Sequence, residues 1–432
     1  MTVDSILSPL EPPLPEYELD ETQTLPTYST QARSTECLLQ FEPPRRTGCP
    51  ACEWIFETKC MKVNLGRKIW KLNSPTYGSN GVIDGSIQFP DLTHPLDSLH
   101  ATIEGRLRMA CPERKRSMDE GTLVFLRYTV PVEFNPELPE STFSIPIPPT
   151  FHQAGRNIPC PPSFFFTESK YILEVSYQIR FDAVWKTKRK QKLESRIVGF
   201  YYLPKTSPVI PPLCILPPAS RHRENPPLFL EGPDRMSSFP IPPSFHTNRT
   251  LTKCQTETLK RLSDSVYLSI PVPGVFTAGQ EIPFMISLSF NDDPCMSELL
   301  CQNMAIHLFK RVGIAGRGGH ADSERNMIVS SAVLKKNSGW AEGVVVIKGS
   351  IQAGDAGAEC SWRVSDYAYV KYVLRVSISP PSTLVNHVPT FVHEEELDIC
   401  TSSWGVVDRE LVSGGGKTTP AVGLSNSLRR IY

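Results

Sequence analysis

Tyr171-Ile-Leu-Glu-Val-Ser-Tyr-Gln-Ile-Arg-Phe181 places Tyr171, Leu173, Val175, Tyr177, Ile179 and Phe181 at every second position. In an extended chain successive side chains point to opposite faces, so these six share one face. Period two with aromatic and β-branched enrichment predicts a half-buried antiparallel strand. Its expected partner runs from Leu193 to Leu203, across a hairpin that holds Lys186-Thr-Lys-Arg-Lys-Gln-Lys192.

The same style extends outward in both directions. Upstream lie Val82 to Phe89, His100 to Met109 with alternating Ile103, Leu107 and Met109, Leu123 to Val130, and Phe143 to Ile147. Downstream, Val266 to Ile270, Glu281 to Phe290, Met304 to Phe309, Gly343 to Ile347 and Tyr369 to Ile378 form a second strand-rich block, in which only Pro294 to Asn303 suggests a short helix. No strand–helix alternation appears. Many short strands with proline and glycine turns predict an all-β chain of two tandem immunoglobulin-like β-sandwiches.

Composition agrees. Of 432 residues 41 are proline, a share unsuited to helices, while 40% are hydrophobic, too many for a disordered chain. The 45 basic and 45 acidic side chains cancel, which argues against a mainly electrostatic nucleic-acid binder. Residues 1–58 read as a disordered proline-rich tail, 59–205 as the first sandwich and 206–262 as a proline-rich linker. Residues 263–400 read as the second sandwich and 401–432 as a flexible tail. No basic-then-apolar export signal opens the chain, so its cysteines are expected as reduced thiols in the cytoplasm. Cys49-Pro-Ala-Cys52, with Cys60 beyond it, lacks the second ligand pair that a structural zinc site needs, so no metal is expected.

Enzyme-like motifs fail on context. Gly316-Arg-Gly-Gly-His-Ala321 fits a dinucleotide fingerprint in letters but has polar flanks within a β-rich block. Ser413-Gly-Gly-Gly-Lys-Thr418 echoes a phosphate loop without its first glycine or a preceding strand. The reading is therefore a non-catalytic protein without a cofactor.

Two features point to partners. Leu14-Pro15-Glu16-Tyr17 and Leu25-Pro26-Thr27-Tyr28 pair a proline with a following tyrosine, a form that fits the aromatic-lined grooves of WW domains. Two copies within fifteen residues favour avidity against a partner with several such domains. Leu14, Pro15, Tyr17, Leu25, Pro26 and Tyr28 are the candidate contacts. In the hairpin, Lys186, Lys188, Arg189, Lys190 and Lys192 concentrate five positive charges. They fit a solvated tip that resists edge pairing, or contact with anionic headgroups or a phosphorylated, acidic segment.

Several runs resemble the arrestin-like family, in particular fungal α-arrestin-like proteins. They are Tyr77 to Phe89, Ile103-Glu-Gly-Arg-Leu107, Phe143-Ser-Ile-Pro-Ile147, and Ile158-Pro-Cys-Pro-Pro-Ser-Phe164 followed by Tyr171 to Tyr177. Gly274-Val-Phe-Thr-Ala-Gly-Gln-Glu-Ile-Pro-Phe284 is similar to the segment opening the family's C-terminal domain, and Glu396 to Cys400 to its closing strand. The resemblance implies arrestin-type sandwiches acting as an adaptor. Such a protein recruits a WW-domain HECT ubiquitin ligase and directs ubiquitylation, endocytosis and sorting of membrane transporters or receptors through their cytoplasmic tails. It also implies recruitment to the plasma membrane or endosomes. The alternatives are a signalling scaffold of the same fold without a ubiquitin role, or an enzyme with an unrecognised site.

Overall fold

The computed structural model describes residues 52–90, 96–110, 121–135, 140–168, 171–186, 191–213, 216, 236–245, 251–290, 293–315, 321–341 and 343–428. The described part begins with β1 (Glu53–Glu57), β2 (Lys62–Arg67), β3 (Thr76–Tyr77), β4 (Val82–Gln88), β5 (Leu96–Ala110) and β6 (Gly121–Pro131). It continues with β7 (Glu140–Pro146), β8 (Thr150–Gln153), β9 (Arg156–Pro159), β10 (Phe164–Glu168), β11 (Tyr171–Lys186) and β12 (Gln191–Tyr202). One sheet has the order β1-β2-β4-β7, the other β3-β12-β11-β5-β6 with β10 also paired to β11.

The stretch that decides the fold is the centre of that second sheet. β11 pairs antiparallel with β12, Tyr177 opposite Phe200 and Phe181 opposite Arg196, and on its other side with β5, Ile179 opposite Ile103. Leu173, Val175, Tyr177, Ile179 and Phe181 are all buried, as period two requires. β11 meets the first sheet through aromatic contacts, Phe143 of β7 with Phe181 at 5.1 Å and Phe89, just beyond β4, with Trp185 at 5.8 Å.

The second half holds β13 (Met236–Pro240), β14 (Pro243–Ser244), β15 (Val266–Pro271), β16 (Val275–Thr277), β17 (Glu281–Ser289) and β18 (Met304–Ala315). Then follow β19 (Ala321–Ser331), β20 (Val333–Ala341), β21 (Val344–Gln352), β22 (Trp362–Val364), β23 (Ala368–Ile378) and β24 (Thr390–Cys400). Its sheets run β13-β15-β17-β21-β20 and β14-β24-β23-β18-β19, with β16 on β24 and β22 on β23. In β17 all but the first and last residues are buried. Pro283 lies beyond the β15 ladder, which engages only Met285 to Leu288, so its missing N–H leaves no pairing unmade. The other face of β17 is covered at Met285 by Met236, Val346, Leu213 and Leu216.

Among the described residues three α-helices accompany the strands: α1 (Lys253–Arg261), α2 (Pro294–Cys301) and α3 (Val406–Ser413). The described residues are thus mostly strand in antiparallel sheets, an all-β chain.

The structure departs from the expected boundaries in three places. β1 lies within the stretch assigned to the tail. Residues 206–262 supply β13, β14 and α1 to the second half, because Met236 and Ile241 are apolar anchors that bury completely. Residues 401–428, expected as a flexible tail, carry α3 and a 3-10 turn at Val422–Leu428. Ala421 N–H bonds the Leu203 carbonyl, and Leu203, Cys360, Ala421 and Leu424 form a small apolar cluster. Burial of those side chains is what holds the segment down.

One of the runs that carry the resemblance, Ile158 to Phe164, makes a buried crossing. Residues 160–164 are buried, and a buried loop needs partners for its polar groups. Ser163 N–H donates to the Tyr202 carbonyl, Tyr202 N–H to Ser163 Oγ, and the Tyr177 hydroxyl to the Pro161 carbonyl at 2.6 Å. Burial raises the Tyr177 and Cys160 pKa values, the latter to about 12, so both stay protonated at neutral pH. Phe164 continues from this crossing to Trp362 of the second half, ring centroids 5.1 Å apart.

Candidate interaction face

The outward face of β5, β6 and β11 carries a carboxylate hidden under arginines. Glu104, Arg106, Arg127, Gln178 and Arg180 share that face through the register that sets Glu104 opposite both Arg127 and Gln178. Arg106 donates to Glu104 Oε2 from Nε at 3.2 Å and Nη2 at 2.6 Å, and Gln178 Nε2 donates to the same oxygen at 3.0 Å. Arg127 Nε donates to Oε1 at 3.1 Å, while Arg180 Nη1 stands 3.9 Å from it. The Glu104 side chain is 1% exposed, Arg127 64%.

Burial alone would push the Glu104 pKa up. The hydrogen bond from Arg106 and the charges of Arg106, Arg127 and Arg180 outweigh it and hold the carboxyl below its ordinary range. One carboxylate cannot neutralise three guanidinium groups, and Arg180 also donates to Asp182 Oδ2 at 2.8 Å. Arg127 uses only Nε for hydrogen bonding among the described residues, and its side chain is largely exposed. The sequence alone offers Ile103-Glu-Gly-Arg-Leu107 as a run resembling the arrestin-like family and gives its charges no role. The available signal was Glu104 and Arg106 two apart on a strand whose other face is apolar.

The sequence-derived candidates are placed unevenly. Leu14, Pro15, Tyr17, Leu25, Pro26 and Tyr28 lie outside the described residues, as do Lys188, Arg189 and Lys190 of the hairpin and most of the glycine-rich loop from Gly316. Lys186 pairs with Asp97 at 2.5 Å, and Lys192 stands over the Trp185 ring at 5.9 Å and near Cys60 Sγ at 3.7 Å. The two lysines flanking the hairpin therefore have partners on their own sheet. The phosphate-loop echo ends a helix: Gly414 N–H bonds Glu410 and Gly416 N–H bonds Leu411, with Gly416 at φ 87°.

Among the described residues no group of three or more His, Cys, Asp and Glu side chains is arranged to hold a metal, and no helix is long and apolar enough to cross a membrane. A groove of about 410 Å³ lies where β10 of the first half approaches β19 of the second. No protein-family model matches the chain, and no curated protein matches it.

Proposed function

We propose that the protein is a non-catalytic adaptor built on two arrestin-type sandwiches. It binds acidic or phosphorylated cytoplasmic tails of membrane transporters or receptors, and presents them to a WW-domain HECT ubiquitin ligase engaged through the tyrosine motifs at Tyr17 and Tyr28. The single observation that carries cargo binding is the cluster of Arg106, Arg127 and Arg180 over one buried carboxylate. Arg106 and Arg127 are hydrogen-bonded to Glu104 and Arg180 to Asp182, so the three guanidinium groups need little reordering to meet a phosphate, and their charge exceeds what the two carboxylates balance. The basic hairpin, with Lys188, Arg189 and Lys190 between Lys186 and Lys192, supplies a further anionic contact suited to a membrane surface. In this reading the protein works in the cytoplasm and is drawn to the plasma membrane or endosomes with its cargo.

Binding of a fluorescent phosphoserine-containing acidic peptide tests the cargo arm. Replacing Arg127 and Arg180 by glutamine should weaken it about tenfold or more, and equal affinity would remove the arginine cluster from the reading. Affinity capture tests the ligase arm: a WW-domain ligase recovered with the wild type should be lost with Tyr17→Ala/Tyr28→Ala. Equal recovery by both, or recovery by neither, would leave the tyrosine motifs without a role.

A further inference from the structure

β19 closes one end of its sheet: among the described residues it hydrogen-bonds to β18 on one side and to no strand on the other. A terminal strand turns every second N–H and C=O away from its own sheet, and such a row is a template for another extended chain; in β19 the alternation is interrupted between Ile328 and Ser330, where the pairing with β18 shifts register. At residues 327–330 the neighbouring space is a groove of about 410 Å³, walled by Met327, Ile328 and Val329 on one side and Phe164 and Phe166 on the other. Ile328 is 60% exposed.

The floor of the groove is acidic. Lys310 Nζ donates to Glu359 Oε2 at 2.7 Å, and the Tyr372 hydroxyl donates to the same oxygen at 2.5 Å. That oxygen is fully engaged, and Lys310 is neutralised by it. Asp355 lines the same groove and takes part in no ion pair or side-chain hydrogen bond among the described residues. One lysine against two carboxylates leaves an uncompensated negative charge beside apolar walls.

We propose that this groove binds an extended peptide segment of a partner protein as an added strand on β19, with apolar side chains at alternate positions and one lysine or arginine beside Asp355. Main-chain bonds to β19 on either side of that register shift give the affinity, the walls of Phe164, Phe166 and Met327 select apolar side chains, and Asp355 selects the cation. The groove shares no residue with the arginine cluster, so the inference stands or falls separately from the adaptor reading. The two sites have opposite charge preference.

The full chain would be panned against a displayed library of random nonapeptides, in parallel with the variant Ile328→Lys/Asp355→Lys. Both substituted residues are exposed, so the variant is expected to fold, which circular dichroism checks. Wild type should enrich peptides with alternating apolar residues and a basic one, and the variant should not. The best enriched peptide is then synthesised. N-methylation of alternate amides should abolish its binding, and Asp355→Asn alone should weaken it about three- to fivefold, the size of a partly exposed ion pair. Enrichment of the same peptides by both proteins, of acidic peptides, or of none would overturn the proposal. So would a concentration-dependent dimer that Ile328→Lys disperses, since the strand edge would then serve a second copy of this chain.

Discussion

The Tyr177 hydroxyl donates to the Pro161 carbonyl oxygen at 2.6 Å, joining the central strand of the six-stranded sheet to the buried crossing at residues 160–164. Both groups are out of water, and Tyr177 is 2% exposed. Removing the donor leaves a buried carbonyl with one partner fewer, and an unmet buried acceptor costs about 1–3 kcal/mol. Tyr177→Phe should therefore lower stability by that amount in a urea titration, with the slope of the transition unchanged. A loss below about 0.5 kcal/mol would mean that water or another donor reaches Pro161.

Glu104 ties stability to pH. Its folded pKa is depressed by Arg106, Arg127 and Arg180, so its contribution is complete above the unfolded value, about 4.3, and is lost as pH falls through the lower folded value. Glu104→Gln should cost roughly 2 kcal/mol near pH 7, less than a fully enclosed pair because the arginines regain water. The gap between wild type and variant should hold constant from pH 6 to about pH 5 and narrow only as the titration is carried below the unfolded value of about 4.3 toward pH 3. A gap independent of pH would show that packing rather than charge explains the loss.

Glycine 85 is fixed by space. A Cβ built there would lie 2.3 Å from the Asn64 carbonyl oxygen and 2.6 Å from Phe143 Cζ. The phenyl ring can turn aside; a backbone oxygen in a neighbouring strand cannot. Gly85→Ala should thus separate β2 from β4 at this point and cost on the order of 1–3 kcal/mol or more. The check is a thermal melt, and a variant as stable as wild type would contradict the close approach of the two strands.

What the sequence made legible follows from periodicity. The β11–β12 hairpin is readable because its alternation is strict over eleven residues and one face must bury. Glu104 and its arginines are not, since Arg127 and Arg180 come from other strands and meet Glu104 only through register. Helix α1 carried a local signal that a proline count hides: Thr252 caps Gln255 N–H while the Gln255 side chain returns to Thr252, a capping box within a region dominated by prolines. Residues 401–428 read as flexible because glycine and serine are frequent there. Their order depends on Leu203 and Lys205, about two hundred positions earlier, and no local pattern reports such a contact.

Lys205 is the polar half of that distant anchor. Its ammonium group donates to Glu410 of α3 and to Thr419 Oγ1 at 2.7 Å, while Glu410 Oε2 accepts from Thr419 N–H at 3.2 Å. A charge-assisted bond of this kind contributes about 1.5 kcal/mol, roughly tenfold in the fraction of molecules with the segment open. Lys205→Met keeps the length of the side chain and removes the charge. Hydrogen exchange across residues 406–428 should then quicken about tenfold, while the melting temperature shifts by less than about 2 °C because the sheets are untouched. Unchanged exchange would place the whole anchorage in Ala421 and Leu424; a melting shift of many degrees would show that the segment unfolds with the sheets rather than before them.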